Sequence, residues 1–395
     1  MLSSQLRLSF LSGLLLIMIA SGCQEKPEDK RVDTPPPFVF KSLELRQKRA
    51  NGEQDWDLKS PLASYELGRR VVRAEYPKGI LYNKNQPSFE ISARIATVIN
   101  DGEIVILEGD VRIQQLAGEK VLITGDRLRW TPKDSRMLID QDPQALNDTS
   151  RIKAQTAEFH QSSQELFFKG PTQLHRWKEE RNSNKAPNTE IKGMNGIWNL
   201  ENGNFKASGP ISGRRRVDKS QQAQKLTAAG LDGNSKKAYL DLLNPVLLIL
   251  PDKNAILQAK DTRWYYNRDK IISNQPFLAK QENSTYRGKG FEVDLSKKTV
   301  EVTNDCEINQ PGDKLIAQKC FLNWYTEKVR AKGSVVLNRE ANNLITHSDE
   351  LNGRIGNDGT VIFSSPGSSV KSQLTINREQ RKSSSASKSS HPIEF

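Results

Sequence analysis

The chain has 395 residues, with 59 lysines and arginines against 47 acidic residues, a net charge of +12 and only 35% hydrophobic side chains. Length alone would allow two or three domains, but so low an apolar fraction argues against a large globular core. Charges of both signs are mixed along the sequence, which describes a solvated surface first and a preference for anionic partners second.

In chain order, the first element is a leader. Arg7 precedes an apolar run, residues 8–20, followed by Ser21-Gly22-Cys23. The run is short for a membrane span, and small residues before a cysteine are the pattern of a lipoprotein signal peptide over residues 1–22. Cys23 is then the expected lipid anchor, with an uncleaved membrane anchor as the alternative. Both place the mature chain in an oxidising, extracytoplasmic space. Residues 23–37 (CQEKPEDKRVDTPPP) are charged and proline-rich, the composition of an extended tether.

From residue 58 a repeat takes over. A small residue stands at Ser60, Ala93, Gly125, Ala154, Gly193, Ala228, Ala259, Gly288, Ala317 and Ser348, at intervals of 29 to 39 residues. Two residues earlier the side chain is mostly apolar: Leu58, Ile91, Ile123, Ile152, Ile191, Leu226, Leu257 and Leu315. Five residues later an apolar or aromatic side chain recurs, including Val98, Trp130, Phe159, Trp198, Trp264, Val293 and Leu322. Pairs at alternate positions follow, such as Val105/Leu107, Met137/Ile139 and Val300/Val302, the period of a strand with one buried face.

Seventeen residues after the small position a proline stands in five copies, Pro77, Pro171, Pro210, Pro245 and Pro276. Proline cannot donate to a sheet ladder, so a flat central strand excludes it. The inward parity of the first strand also slips by one at the small residue, which predicts a bulge or corner there. Each unit therefore reads as a strand bent at its small residue, a polar turn such as residues 199–204 or 294–298, and a returning strand bent near the proline. Ten tandem hairpins predict one elongated antiparallel sheet folded along a crease, all-β, over residues 38–366.

Two insertions, residues 178–189 and 213–224, lengthen the repeat between units. The second carries Arg214-Arg215-Arg216, a basic loop that is either solvated or able to meet phosphate. Cys306 and Cys320 fall at the bends of adjacent units and can form a disulfide, with buried free thiols as the alternative. Residues 367–395, serine- and lysine-rich toward the end, are expected to be disordered.

No catalytic site is expected. The four histidines, His160, His175, His347 and His391, have no partners at metal-ligand spacing, and no P-loop, nucleophile elbow or HExxH is present. No metal or cofactor is expected either. The aromatic row five residues after the small position has two readings: the packed core of a closed sandwich, or the wall of a cavity able to accept acyl chains. A nucleic-acid role is not expected, because the basic residues gather on no single strand face.

The segments Phe38-Val39-Phe40, Trp56-Asp57-Leu58-Lys59-Ser60-Pro61-Leu62-Ala63 and the unit opening Asp101-Gly102-Glu103-Ile104-Val105 resemble the periplasmic lipopolysaccharide-transport proteins LptC and LptA, with their OstA-like repeat. The resemblance implies a folded β-jellyroll, or β-taco. It also implies a periplasmic site at the membrane, the inner one preferred, and transport of lipopolysaccharide or a similar glycolipid. Its expected partners are an inner-membrane ABC transporter and other OstA-like proteins docked by strand edges. On this reading Val98, Trp130, Phe159, Trp198, Trp264, Val293 and Leu322 line the lipid groove. The competing class is a structural or adhesive β-solenoid lipoprotein that carries no lipid.

Overall fold

Alternating strands and bend residues of the predicted kind build nearly all of the observed architecture. The structure, a computed structural model, describes residues 36–375 except 183, 217–221, 252–253, 341–342 and 355–359. The expected signal peptide, the Cys23 anchor and most of the tether lie outside the described residues, as does the tail from residue 376. From Pro37 onward the chain is a single structural unit. Among the described residues, helix is limited to single 3-10 turns.

The described residues of the unit form one antiparallel sheet of 31 strand segments. After a lead strand, Phe38–Lys48, the segments group into the ten predicted hairpins. Some passes run unbroken through the crease, such as Gln54–Glu66 and Thr189–Asn199, and others break there, such as Gln224–Ala228 and Gly230–Asn234. The sheet continues beyond the predicted end at residue 366. Lys371–Leu374 pairs with the strand Leu344–Arg354, so the expected disorder does not hold for those residues, because the final hairpin needs them to complete its first leaf.

The crease has a chemical cause on each side. On the returning strands the residue before the bend takes a left-handed conformation, as at Gly109, Gly170, Gly209 and Gly333 with φ between 74° and 80°. The ladders slip at the same places, between Phe168 and Pro171 and between Ser273 and Pro276. On the outgoing strands the small residue permits close approach: a Cβ on Gly288 would meet Asn304 O at 3.0 Å and Phe277 Cε1 at 3.1 Å. The hairpins beyond the crease repeat one turn. Asn199, Asn234, Asp294 and Asn323 each accept backbone N–H bonds from residues two or three further on, which closes the turn locally.

Folding along the crease gives two leaves. On the first leaf the residues two before the small position stand in one register row, running Leu58, Gly79, Ile91, Ile113, Ile123, Ala145, Ile152, Leu174 and on to Leu337. The second leaf carries a facing row. The buried side chains between them form two clusters, one from Trp56 to Leu200 and the other from Ile191 to Leu351.

Candidate functional site

All seven side chains expected to line a groove fall in one register row of the second leaf. The ladder passes from Val98 through Val105 to Trp130, Met137, Phe159, Leu166 and Trp198, then through Phe205, Gly233 and Leu240 to Trp264. From there Ile271, Val293 and Val300 lead to Leu322. Strict two-residue alternation across this ladder forces them to one face.

The row has two environments. In the first half the trough is filled. Val98, Trp130 and Phe159 are at most 3% exposed, and they line neither of the cavities described below. The first leaf supplies the filling at its lip, where Trp56, Leu81 and Phe89 share a register row. Trp56 meets Trp130 and Phe89 meets Phe159, both edge to face. Polar groups then tie the two lips together: Gln161 Nε2 donates to Tyr82 O at 3.2 Å, and Gln115 Nε2 donates to Leu200 O at 3.3 Å. The packed-core reading therefore describes Val98, Trp130 and Phe159, because bulky lip residues reach across the space a groove would need.

In the second half the leaves stand apart. A cavity of about 540 Å³ runs between them, lined by half-buried Trp264, Val293 and Leu322 on one side and by Leu226, Leu248 and Leu257 on the other. A second cavity of about 320 Å³ is lined by Trp198, Phe205, Leu174 and Ile211. Thr189, Ile191 and Trp264 line both. The opening coincides with a change at the lip: the row that holds Trp56, Leu81 and Phe89 in the packed half holds Thr189, Arg215 and Gln224 here.

The charged residues lining the larger cavity are Arg214, Arg215, Lys225, Lys280 and Lys298 with one carboxylate, Asp269, which Arg215 Nη2 contacts at 3.0 Å. Arg214 and Arg215 end the strand Asn204–Arg215 instead of lying in a loop, and Arg216 pairs with Glu190 at 3.6 Å. Cys306 and Cys320 are bridged at the crease, with Cα atoms 5.9 Å apart, and Cys320 lines the larger cavity. Among the described residues, no group of three or more His, Cys, Asp or Glu side chains is placed to hold a metal ion. None of their helices is long and apolar enough to cross a membrane.

Sequence reasoning missed the division into filled and hollow halves. A signal was present: lip positions four residues before the small residue carry Trp56 and Phe89 early in the chain but Thr189, Gln224 and Ala255 later.

Fold and cavity together define a creased antiparallel sheet with an apolar trough, packed at one end and hollow at the other. A family model described as lipopolysaccharide-assembly, LptC-related, matches residues 7–142, so that stretch of the chain is similar to the LptC-related proteins. The matched stretch ends within the packed half, and the larger cavity is built from residues beyond it. No curated protein matches the chain.

Proposed function

We propose that the chain is a membrane-tethered periplasmic carrier that holds acyl chains of lipopolysaccharide, or of a related glycolipid, in the hollow half of its trough. The observation that carries this reading is the 540 Å³ cavity with an apolar wall and a basic lip. Each methylene moved from water into such a wall contributes about 0.8 kcal/mol. Pockets of about 300–1,000 Å³ bury small ligands, so the cavity as it stands suits a few chains of one lipid. The headgroup sits at the open lip beside Arg215 and Lys298, with its sugars in water.

On this reading lipid does not travel through the packed half, which serves as a rigid stem between the membrane and the carrier half. Acylated Cys23 tethers the stem, at the inner membrane, where an ABC transporter supplies the lipid. Strand edges offer docking points for other OstA-like proteins. The outer edge of Phe38–Lys48 exposes Phe38, Val39 and Phe40, and the opposite end exposes Ile362 and Leu374.

Photo-crosslinking amino acids at Val293 and Val98 test the reading in cells. The expected result is a lipopolysaccharide adduct from position 293 and none from position 98. Absence of any adduct at 293, with the protein folded and expressed, overturns it.

A further inference from the structure

One row of the first leaf carries inward-facing cations at the boundary between the packed and hollow halves. The ladder pairs Ser150 with Arg176, Arg176 with Thr189, Thr189 with Arg215, and Arg215 with Gln224. These residues lie two positions from the apolar row of Ile152, Leu174, Ile191, Gly213 and Leu226, so alternation aims them into the trough at its lip. In the packed half the corresponding row holds Trp56, Leu81 and Phe89. Where the filling ends, guanidinium groups replace it.

Both cations are drawn over aromatic rings of the opposite leaf. The Arg176 guanidinium lies 4.3 Å from the Tyr266 ring centroid, and that of Arg215 lies 5.3 Å from Trp264. Arg176 lines the smaller cavity, Arg215 lines the larger, and Thr189 between them lines both. Arg215 has a carboxylate partner in Asp269. Arg176 donates to Thr149 Oγ1 at 2.9 Å and, among the described residues, pairs with no carboxylate. Among the described residues lining that cavity the acid is Glu119, which accepts from Ser235 Oγ at 2.9 Å. Burial pulls the Arg176 guanidinium below its ordinary range. Burying a cation without a counter-charge is costly, and a folded sheet gains nothing in packing from it that a leucine would not supply.

We infer that Arg176 and Arg215 form a phosphate seat at the junction of the two halves, so that the cargo is selected as a phosphorylated amphiphile. The inference rests on the carrier reading above and deepens it. Adjacent strands lie about 4.8 Å apart, so the two arginines rise from backbones about 10 Å apart, within reach of one phosphate set between their long side chains. A guanidinium presents a planar fork of donors that matches phosphate oxygens, and at this half-buried lip the bond is little screened. The phosphate anchors the headgroup where the trough opens, while the chains enter the hollow half beside it. It also competes with Asp269 for Arg215.

The test compares binding of bis-phosphorylated lipid A and of the same lipid after enzymatic dephosphorylation to the purified full-length chain. The proteins are the wild type, the double variant R176Q/R215Q, and R330Q on the outward face as control. The double variant is expected to lose about tenfold or more in affinity for the phosphorylated lipid and nothing for the dephosphorylated one, the loss of a charge-assisted hydrogen-bond pair. Equal affinity of wild type and double variant for the phosphorylated lipid overturns the seat, as does an equal loss for both lipids. Should the wild type bind neither lipid, the carrier reading fails and inorganic phosphate decides the seat alone. Saturable phosphate binding lost in the double variant supports it as a free-phosphate site, and no binding overturns it. If the glutamine variant does not fold, R176K/R215K carries the test: retained charge without the fork is expected to leave an intermediate affinity, and wild-type affinity for both lipids counts against the fork.

Discussion

Trp56 and Trp130 stand on opposite leaves of the sheet and meet edge to face with ring centroids 5.3 Å apart, closing the trough from side to side. Both are at most 3% exposed. This contact and the one between Phe89 and Phe159 make half of a hollow-looking pattern solid.

Removing that filling should be expensive. Trp130→Ala is expected to destabilise by about 3–5 kcal/mol, since it leaves a cavity the crease cannot collapse. Trp264→Ala, in the hollow half and already half-buried, should cost clearly less. Urea unfolding of the two variants checks the order, and an equal or reversed cost would contradict the packed-stem assignment.

The crease depends on glycine. A side chain at Gly288 would press on Val302 Cγ1 and on Asn304 O, which is backbone and cannot swing away. Gly288→Val is expected to destabilise by about 1–3 kcal/mol. The same substitution at Gly312, a turn glycine with nothing within 4 Å but φ of 82°, strains the backbone instead of the packing. Thermal melts of the two variants, each beside its Gly→Ala counterpart, separate the mechanisms. At the first position the loss should grow with side-chain volume from Ala to Val, whereas at the second Ala itself should already carry a backbone cost, with Val adding to it through its branched Cβ.

Glu158, on the outer face of the second leaf, gives the fold an acid limit. Burial opposes its charge, but bonds from Lys169, His160 and Arg136 outweigh burial and lower its carboxyl from 4.5 to about 2. Lys169 Nζ lies at 2.8 Å and Arg136 Nε at 2.6 Å. A carboxyl lowered by folding contributes its stability in full above its unfolded value, and the contribution fades as pH falls from about 4.5 toward 2. The contribution is at most about 3 kcal/mol, because the partner cations are themselves half exposed. Glu158→Gln should flatten the fall of stability over that pH range in denaturant titrations; an unchanged slope would show that the cluster is not responsible.

The disulfide between Cys306 and Cys320 spans 14 residues at the crease beside the larger cavity. Replacing both cysteines by serine should cost up to about 3 kcal/mol through the freed unfolded chain. The melting temperature of the wild type should fall under reductant, and that of C306S/C320S should not respond to it. A reductant response in the double variant would place the effect elsewhere.

Much of the fold was legible in the sequence because it rests on local rules. The two-residue alternation placed Val98, Trp130, Phe159, Trp198, Trp264, Val293 and Leu322 in a single row, and the structure keeps them in one ladder. The slipped parity at the small residues and the prolines seventeen residues later marked the crease, since left-handed glycines and missing donors act within a few residues. Less legible was the fate of the row. Whether a side chain fills the trough or borders a cavity depends on what faces it from another leaf, and Trp56 reaches Trp130 from a different repeat unit.

By itself the sequence determined a ladder of ten creased hairpins with one apolar face, because strand parity, turn-forming asparagines and bend-forming glycines and prolines are all short-range physics. Only the tertiary structure decided which half is solid, that the lips are tied by Gln161 and Gln115, and that Arg176 and Arg215 stand together where the hollow begins. Those outcomes depend on the summed volume and charge of two leaves brought face to face, where side chains from different repeat units meet, as Trp56 meets Trp130.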